Sequence, residues 1–347
     1  MTTTFFSEAY RETPIHLRHI IPLDFHSVPT VPDSHVWPKS DEFSSDDDRF
    51  SIPIVDLNDP DAVKLIGHAC ETWGAFQVIN HGIPLNLLDD MESETRRLFS
   101  LPAQQKMKAL REPAGIAGYG IARISPFFPK YMWHEGFTMS GSPVDHARAL
   151  WPNDSARFCD VMESYQKKMK VLAEQLTHMI LKSLDISEQD LNSNILGSPY
   201  TVLQLNSYPS CPDPNRAMGL APHTDTSLLT IVHQSAITGL QLFKDGLGWV
   251  SVQPITGALV VNVGDLLHIF SNGRFPSVLH RAVVNRDRFH RFSMAYFYGI
   301  STDCNVSPLP KLLNISGQTP RYRSVTVKEY VVIKSKSFDE ALSLIRI

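Results

Sequence analysis

The feature that most constrains this chain is a series of short β-type runs between residues 202 and 298, most of them separated by glycine-rich turn sequences. Seven or eight short strands at this spacing predict an antiparallel sandwich, a barrel or a jelly roll. The runs are Val202–Tyr208, Leu228–His233, Leu240–Phe243, Trp249–Val252, Ala258–Val263, His280–Val284 and Phe292–Tyr298.

The first half of the chain has a different pattern. Apolar spacing predicts helices over 60–73, 84–99 and 155–184, with short strands at 51–57 and 75–79. Residues 113–150 are rich in glycine, proline and aromatic residues and are interpreted as a loop region, whereas 324–347 is predicted to be helical. The fold class is therefore mainly β with flanking helices.

Composition narrows the class of protein. The 347 residues are 43% hydrophobic, which is enough for a large core, and the net charge of −4 does not favour nucleic-acid binding. We find neither an apolar run of membrane-spanning length nor a secretory signal pattern at the N-terminus. The four cysteines are far apart and form no C-x-x-C pair, so we expect a reducing compartment, most simply the cytoplasm.

A candidate metal site begins at His223-Thr-Asp225. Residues two apart on a strand point to the same face, so the imidazole and the carboxylate can converge. One such pair is expected by chance among 14 histidines, and His223 alone would be more simply a hydrogen-bonded core residue. His280 lies on another predicted strand, and with it the set becomes the two-histidine, one-carboxylate triad of non-haem Fe(II) oxygenases. Zinc also accepts these ligand types.

A candidate anion site follows in Arg291-Phe-Ser293. The guanidinium and the hydroxyl share one strand face and suit the far carboxylate of a dicarboxylic acid. Asn206 and Tyr208 share a face of another β-run. The alternatives are a surface arginine and an ordinary core tyrosine.

With these motifs the chain resembles the plant 2-oxoglutarate- and Fe(II)-dependent dioxygenases. The resemblance implies a double-stranded β-helix (jelly roll) core, with iron bound by His223, Asp225 and His280. It also implies that Arg291 and Ser293, with Tyr208 and Asn206 nearby, bind 2-oxoglutarate, and that a ferryl-oxo species abstracts hydrogen. The matching elements are 51–56, 74–82, 206–209, His223-Thr-Asp225, 264–265, 271–273, 280–281 and Arg291-Phe-Ser293.

Longer stretches, among them 223–231, 257–269 and 322–330, are similar to gibberellin 3β-dioxygenases. This similarity implies 3β-hydroxylation of gibberellin precursors to bioactive gibberellins, with O₂ consumed and ascorbate as a supporting reductant. The alternatives are gibberellin 2-oxidation, flavonoid oxidation, or a non-catalytic jelly roll that binds a small acid. The anchoring arginine stands 11 residues after His280 instead of the common ten, which makes Arg288 the alternative anchor.

Substrate contacts are predicted from two places. Phe297 shares a strand face with Arg291 and Ser293, so it should point toward the metal. The aromatic loop contributes further candidates, whose alternative role is packing at the barrel mouth. These candidates are Tyr119, Arg123, Tyr131 and Trp133.

The predicted organisation is an extended arm over 1–50, a helical and strand region over 51–195, the catalytic core over 196–310 and a helical segment over 311–347. The expected partner is a small gibberellin, with no nucleic acid, no membrane and no obligate protein partner.

Overall fold

The computed structural model describes residues 10–25, 27–38, 44–45, 51–187, 190, 199–284 and 289–347. The last part of the predicted arm, residues 39–50, lies outside these ranges apart from 44–45, and the alternative anchor Arg288 also lies outside them. The helices are α1 Ala62–Thr72, α2 Leu85–Phe99, α3 Ala103–Lys106, α4 Val144–Leu150, α5 Ala156–Ser183, α6 Asp265–Phe270, α7 Pro310–Ser316, α8 Val327–Ser337 and α9 Ala341–Leu344. The strands are β1 Ser44–Ser45, β2 Ile54–Asp56, β3 Ala75–Ile79, β4 Gly118–Gly120, β5 Glu135–Met139, β6 Pro199–Tyr208, β7 Met218–His223, β8 Leu229–Gln234, β9 Leu240–Lys244, β10 Gly248–Ser251, β11 Leu259–Val263, β12 His280–Val283, β13 Arg291–Ile300, β14 Asn305–Val306 and β15 Val325–Thr326.

The strands form two large sheets that pack face to face. The smaller sheet has the order β1-β10-β9-β12-β7, and the larger has the order β2-β3-β11-β8-β13-β6-β5-β4. An apolar cluster joins the sheets, with Leu240 and Leu242 from the smaller sheet against Val232, Val260 and Ala295 from the larger. The predicted jelly-roll core is confirmed, and its strand pairs are antiparallel apart from β1 with β10 and β2 with β3.

Helix α5 covers the outer face of the larger sheet. Its buried residues recur every three or four positions, which gives one apolar stripe along 28 residues. Residues Met294, Tyr296 and Tyr298 of β13 belong to the same cluster as this stripe, whereas Ala295 faces the other sheet. The alternation along β13 therefore divides the strand between an outer helical layer and the inner space between the sheets.

The interpretation of residues 113–150 as a loop region is wrong in part, because the segment contains regular secondary structure. It contains β4 and β5, which extend the larger sheet beyond β6, and it ends in α4. Strand β5 is buried at every position and so shows no alternation, and β4 has only three residues, two of them glycine. Neither strand gives a periodic signal in the sequence.

The N-terminal arm contacts the region 113–121 and the segment before β7, and it joins the smaller sheet through β1. Backbone hydrogen bonds join Ile15 to Pro113, Ile20 to Ile121 and Trp37 to Arg216. In the part of the chain that the structure describes, no helix has the length and hydropathy to cross a membrane. The predicted division of the chain at 50, 195 and 310 stays a prediction.

Candidate active site

A cavity of about 490 Å³ lies between the two sheets, within the 300–1,000 Å³ usual for a small-molecule site. Its walls come from inner faces of both sheets, from the N-terminal arm, from the region 111–127 and from α8. All three residues predicted to bind metal and all four predicted to bind the cosubstrate line it.

Antiparallel pairing brings the two predicted histidine ligands together. His223 ends β7 and His280 begins β12, and the two residues are direct partners in the ladder. Their ring centroids lie 4.2 Å apart. Asp225 follows two residues after His223, and its oxygens lie 3.7 Å from Nε2 of His223 and 3.8 Å from Nε2 of His280. One potential ligand atom from each residue therefore faces a common point.

The hydrogen bonds of the two histidines fix which nitrogen faces that point. Nδ1 of His223 lies 2.8 Å from the carbonyl oxygen of Ala221, and Nδ1 of His280 lies 3.1 Å from that of Val278. Because a carbonyl only accepts, each Nδ1 donates and each Nε2 keeps its lone pair for a metal.

The charge state of the group also suits a divalent metal. Burial, together with His280, lowers the pKa of His223 to about 3, so its imidazole is neutral. Burial would raise the pKa of Asp225, but the two histidines outweigh it and the pKa is lowered. Oδ2 of Asp225 is buried without a hydrogen-bond partner among the described residues. Two imidazole Nε2 atoms that face one point and one unsatisfied carboxylate oxygen fit Fe(II).

The loop that carries Asp225 is fastened to the start of α6. The backbone N–H of Asp265 donates to the carbonyl oxygen of Asp225 at 2.8 Å, and that of Gly264 donates to Leu228 at 2.9 Å. A Cβ at Gly264 would overlap the carbonyl oxygen of Ser227, so the approach requires glycine.

A buried polar network connects this loop to the C-terminal helix. Nζ of Lys334 on α8 donates to both oxygens of Thr224 at 2.8 Å and forms an ion pair with Asp265. Asp265 also accepts from Tyr330 at 2.8 Å and from Ser277 at 2.6 Å. Sequence reasoning missed the network, because Lys334 is 110 residues from Thr224 and no motif connects them.

We predict that Lys334→Met lowers the free energy of unfolding by about 3 kcal/mol, because it leaves the Asp265 carboxylate buried without its cation. Urea unfolding measures the change. Lys336→Met, at an exposed position of the same helix, should stay within about 0.5 kcal/mol of the unsubstituted protein. Equal losses in the two variants would contradict the role of the ion pair.

The predicted anion site forms where β13 pairs with β6. Arg291 is the ladder partner of Tyr208, and Ser293 is the partner of Asn206. Arg291 is only 2% exposed; its Nε donates to Ile237 at 3.2 Å and its Nη2 to Gln234 at 3.0 Å. Its Nη1 is buried without a partner among the described residues. An arginine of this kind fits a carboxylate from a bound molecule.

The neighbours of Arg291 complete a polar pocket. The Tyr208 hydroxyl hydrogen-bonds to Ser293 and Arg291, and burial raises its pKa, so the phenol stays protonated. Asn206 donates to Ser293 at 3.3 Å and accepts from Nε2 of His134 at 3.0 Å. Asn206 therefore positions the Ser293 hydroxyl.

The predicted substrate residues separate into two groups. Phe297 and Arg123 line the cavity, whereas Tyr119, Tyr131 and Trp133 do not. The hydroxyl of Tyr119 donates to Glu135 at 2.5 Å, and the indole of Trp133 donates to the carbonyl oxygen of Pro209 at 3.1 Å.

The other contacts of the second group explain their position. Trp133 is 1% exposed in a cluster with the N-terminal arm, and Tyr131 lies between His19 and His35. These aromatic residues pack between the N-terminal arm and the part of the larger sheet that β4 and β5 add. The cavity residues that were not predicted as site residues from the sequence include Tyr10, Ile15 and Arg111.

A jelly roll that places two histidines, an aspartate and a buried guanidinium, whose Nη1 has no partner among the described residues, around one cavity defines a class of protein, the non-haem iron oxygenases that use a dicarboxylic acid. Residues 199–300 match the 2OG-Fe(II) oxygenase superfamily. Residues 52–155 match the family described as non-haem dioxygenase in morphine synthesis N-terminal.

Curated relatives make the assignment more specific. Gibberellin 3-beta-dioxygenase 1 of Pisum sativum is 52% identical, covering 98% of this chain and 93% of its own. Gibberellin 3-beta-dioxygenase 1 of Arabidopsis thaliana is 50% identical, covering 98% and 97%. The crystal structure of JOX2 in complex with 2OG, Fe and JA superimposes with a TM-score of 0.77 at 30% identity, covering 88% of this chain and 89% of that one. The chain belongs to the 2OG-Fe(II) oxygenase superfamily and is an Fe(II)- and 2-oxoglutarate-dependent dioxygenase.

Proposed function

We propose that this dioxygenase hydroxylates gibberellin precursors at the 3β position. The observation that carries the proposal is the identity of about half of all residues, over nearly the whole chain, to gibberellin 3-beta-dioxygenases of two plants. The complete polar site described above supports it, because a protein that only bound a small acid would not need a metal triad.

In this proposal His223, Asp225 and His280 hold the iron. Arg291 receives the far carboxylate of 2-oxoglutarate, and Ser293 and Tyr208 donate to it. Iron with 2-oxoglutarate and O₂ supplies the oxidant that removes hydrogen from an unactivated carbon. The metal ligands and Arg291 lie on opposite walls of one cavity, because His223 and His280 pair within the smaller sheet and Arg291 pairs within the larger one.

The remaining wall of the cavity suits a rigid apolar polycycle. Ile116, Ile124 and Phe127 from the region after α3 face Val202 and Phe297 from the larger sheet. Apolar burial supplies affinity at about 25 cal/mol per Å², and the same surfaces exclude water from the reacting carbon. Orientation then decides which carbon is oxidised, since misplacement by about 1 Å can cost a hundredfold in rate.

We predict that the purified protein, given Fe(II), 2-oxoglutarate and a gibberellin that lacks the 3β-hydroxyl, forms the 3β-hydroxylated product and about one succinate per product. Mass spectrometry of the products, with Asp225→Ala as the inactive control, measures both. A product hydroxylated at carbon 2 instead of carbon 3 would contradict the proposed regiochemistry. Turnover of a flavonoid but no gibberellin would reject the proposed substrate class.

A further inference from the structure

Five lysine and arginine side chains line the cavity within the described residues, and three of them either bond to another side chain or belong to the predicted 2-oxoglutarate site. Lys334 is paired with Asp265. Arg281 donates to Gln241 at 2.9 Å and stacks on Trp249 at 4.0 Å. Arg291 belongs to the dicarboxylate pocket. The remaining two are Arg111 and Arg123, neither of which the proposed reaction with 2-oxoglutarate uses.

No carboxylate among the described residues forms an ion pair with Arg111 or Arg123. Arg111 is 3% exposed; its Nη2 donates to the carbonyl oxygen of Ile121 at 2.7 Å, while its buried Nε has no partner there. Arg123 donates to the carbonyl oxygen of Gly115 at 2.6 Å and stacks on Tyr10 at 3.8 Å. These contacts hold both guanidinium groups in place without neutralising them.

A buried cation beside a second, partly buried one is costly unless an anion joins them. Burial, and next the neighbouring Arg123, lower the pKa of Arg111 to about 9, which shows that the two charges oppose each other. Asp225 is the one acidic residue among the described residues that line the cavity, and it belongs to the metal triad.

We infer that Arg111 and Arg123 form a second anion subsite, which binds the carboxylate of the substrate and so orients its apolar body toward the metal triad. The inference rests on the proposed function and adds to it the ligand class, an apolar monocarboxylic acid. The subsite is separate from Arg291, so the enzyme handles two acids with two different groups of arginines. Ile15, Ile116 and Ile124 lie in the same cavity and provide apolar surface for the body of such an acid.

The test compares a gibberellin that lacks the 3β-hydroxyl with its methyl ester, which removes the charge and keeps the polycycle. Dissociation constants are measured under argon on the enzyme loaded with Fe(II) and 2-oxoglutarate. The acid should bind the unsubstituted enzyme roughly ten- to a hundredfold more tightly than the ester, the range for a charge-assisted hydrogen bond. Equal affinities would overturn the inference without requiring any variant.

Variants then show which side chains cause the preference for the acid over its methyl ester. Arg123→Gln and Arg111→Gln should weaken acid binding and bring the acid-to-ester ratio close to one, while the dissociation constant of 2-oxoglutarate stays unchanged. Arg123→Lys should keep part of the preference. Arg274→Gln, at a surface arginine paired with Glu71, is the matched control and should keep the full ratio. If Arg111→Gln does not fold, Arg123→Gln alone decides, and a full ratio in that variant overturns the inference.

Admitting O₂ separates this inference from the proposed function. An acid-selective enzyme that forms no 3β-hydroxylated product would support the subsite and reject the proposed reaction. An enzyme that forms the product from acid and ester, bound with equal affinity, would support the reaction and reject the subsite.

Discussion

Replacement of His223, Asp225 or His280 by alanine is expected to abolish hydroxylation and to lower the affinity for Fe(II) by about a hundredfold or more. Each side chain contributes one of three ligand atoms that lie within 4.8 Å of one another, so no remaining pair can hold the metal in the same geometry. Equilibrium dialysis of Fe(II) under argon measures the affinity, and succinate formation measures the turnover.

The matched control for the histidine variants is His68→Ala, at an exposed position on α1. It should leave both quantities unchanged. A variant of His223, Asp225 or His280 that keeps more than a few per cent of turnover with normal Fe(II) affinity would remove that residue from the ligand set.

Arg291→Lys is expected to weaken 2-oxoglutarate binding tenfold or more. The substitution keeps a positive charge but loses the planar fork, and the buried side chain cannot shift to a new position without losing its contacts with Gln234 and Ile237. The loss corresponds to at least about 1.4 kcal/mol, within the range for a charge-assisted hydrogen bond. The Michaelis constant for the gibberellin should change much less.

A substitution at Gly239, which lies against Arg291, gives a second test of the role of Arg291 in 2-oxoglutarate binding. A Cβ at this glycine would lie 2.8 Å from Cδ of Arg291, so Gly239→Ala should displace the guanidinium and also weaken 2-oxoglutarate binding. Arg274→Lys is the surface control. Unchanged 2-oxoglutarate affinity in Arg291→Lys, with a loss in Arg288→Lys, would transfer the anchoring role to Arg288.

The parts of the site that lie on single strands could be predicted from the sequence. Arg291, Ser293 and Phe297 lie at alternate positions of β13 and so share one face whatever the rest of the fold does. A spacing of two also paired His223 with Asp225, but β7 ends at His223 and Asp225 lies in the loop that follows. The contact between His280 and His223 could not be predicted from spacing alone, because it depends on how β12 and β7 pair in the sheet. The resemblance to known dioxygenases implied that contact, and spacing alone only allowed it.

The residues that come from loops and distant elements could not be predicted. Arg111 lies at the cavity because the chain before β4 pairs with Tyr119, and Lys334 reaches Thr224 because α8 packs against the metal loop. Tyr119, Tyr131 and Trp133 show the opposite difference, because they were predicted to contact the substrate and lie outside the cavity lining. Trp133 has the size and polarity of a pocket residue, but its indole donates to the carbonyl oxygen of Pro209, just after β6, and its ring packs in a cluster with the N-terminal arm. Composition does not reveal which side of a segment faces the cavity.

The most direct test of the central claim is a crystal structure of the protein with Fe(II) and 2-oxoglutarate, grown without oxygen. We expect a single metal bound by Nε2 of His223, Nε2 of His280 and a carboxylate oxygen of Asp225, at roughly 2.0–2.2 Å. We also expect the far carboxylate of 2-oxoglutarate on Arg291 and the hydroxyl of Ser293. A metal bound elsewhere, or a 2-oxoglutarate whose far carboxylate lies on Lys334 or on Arg111 and Arg123, would contradict the account.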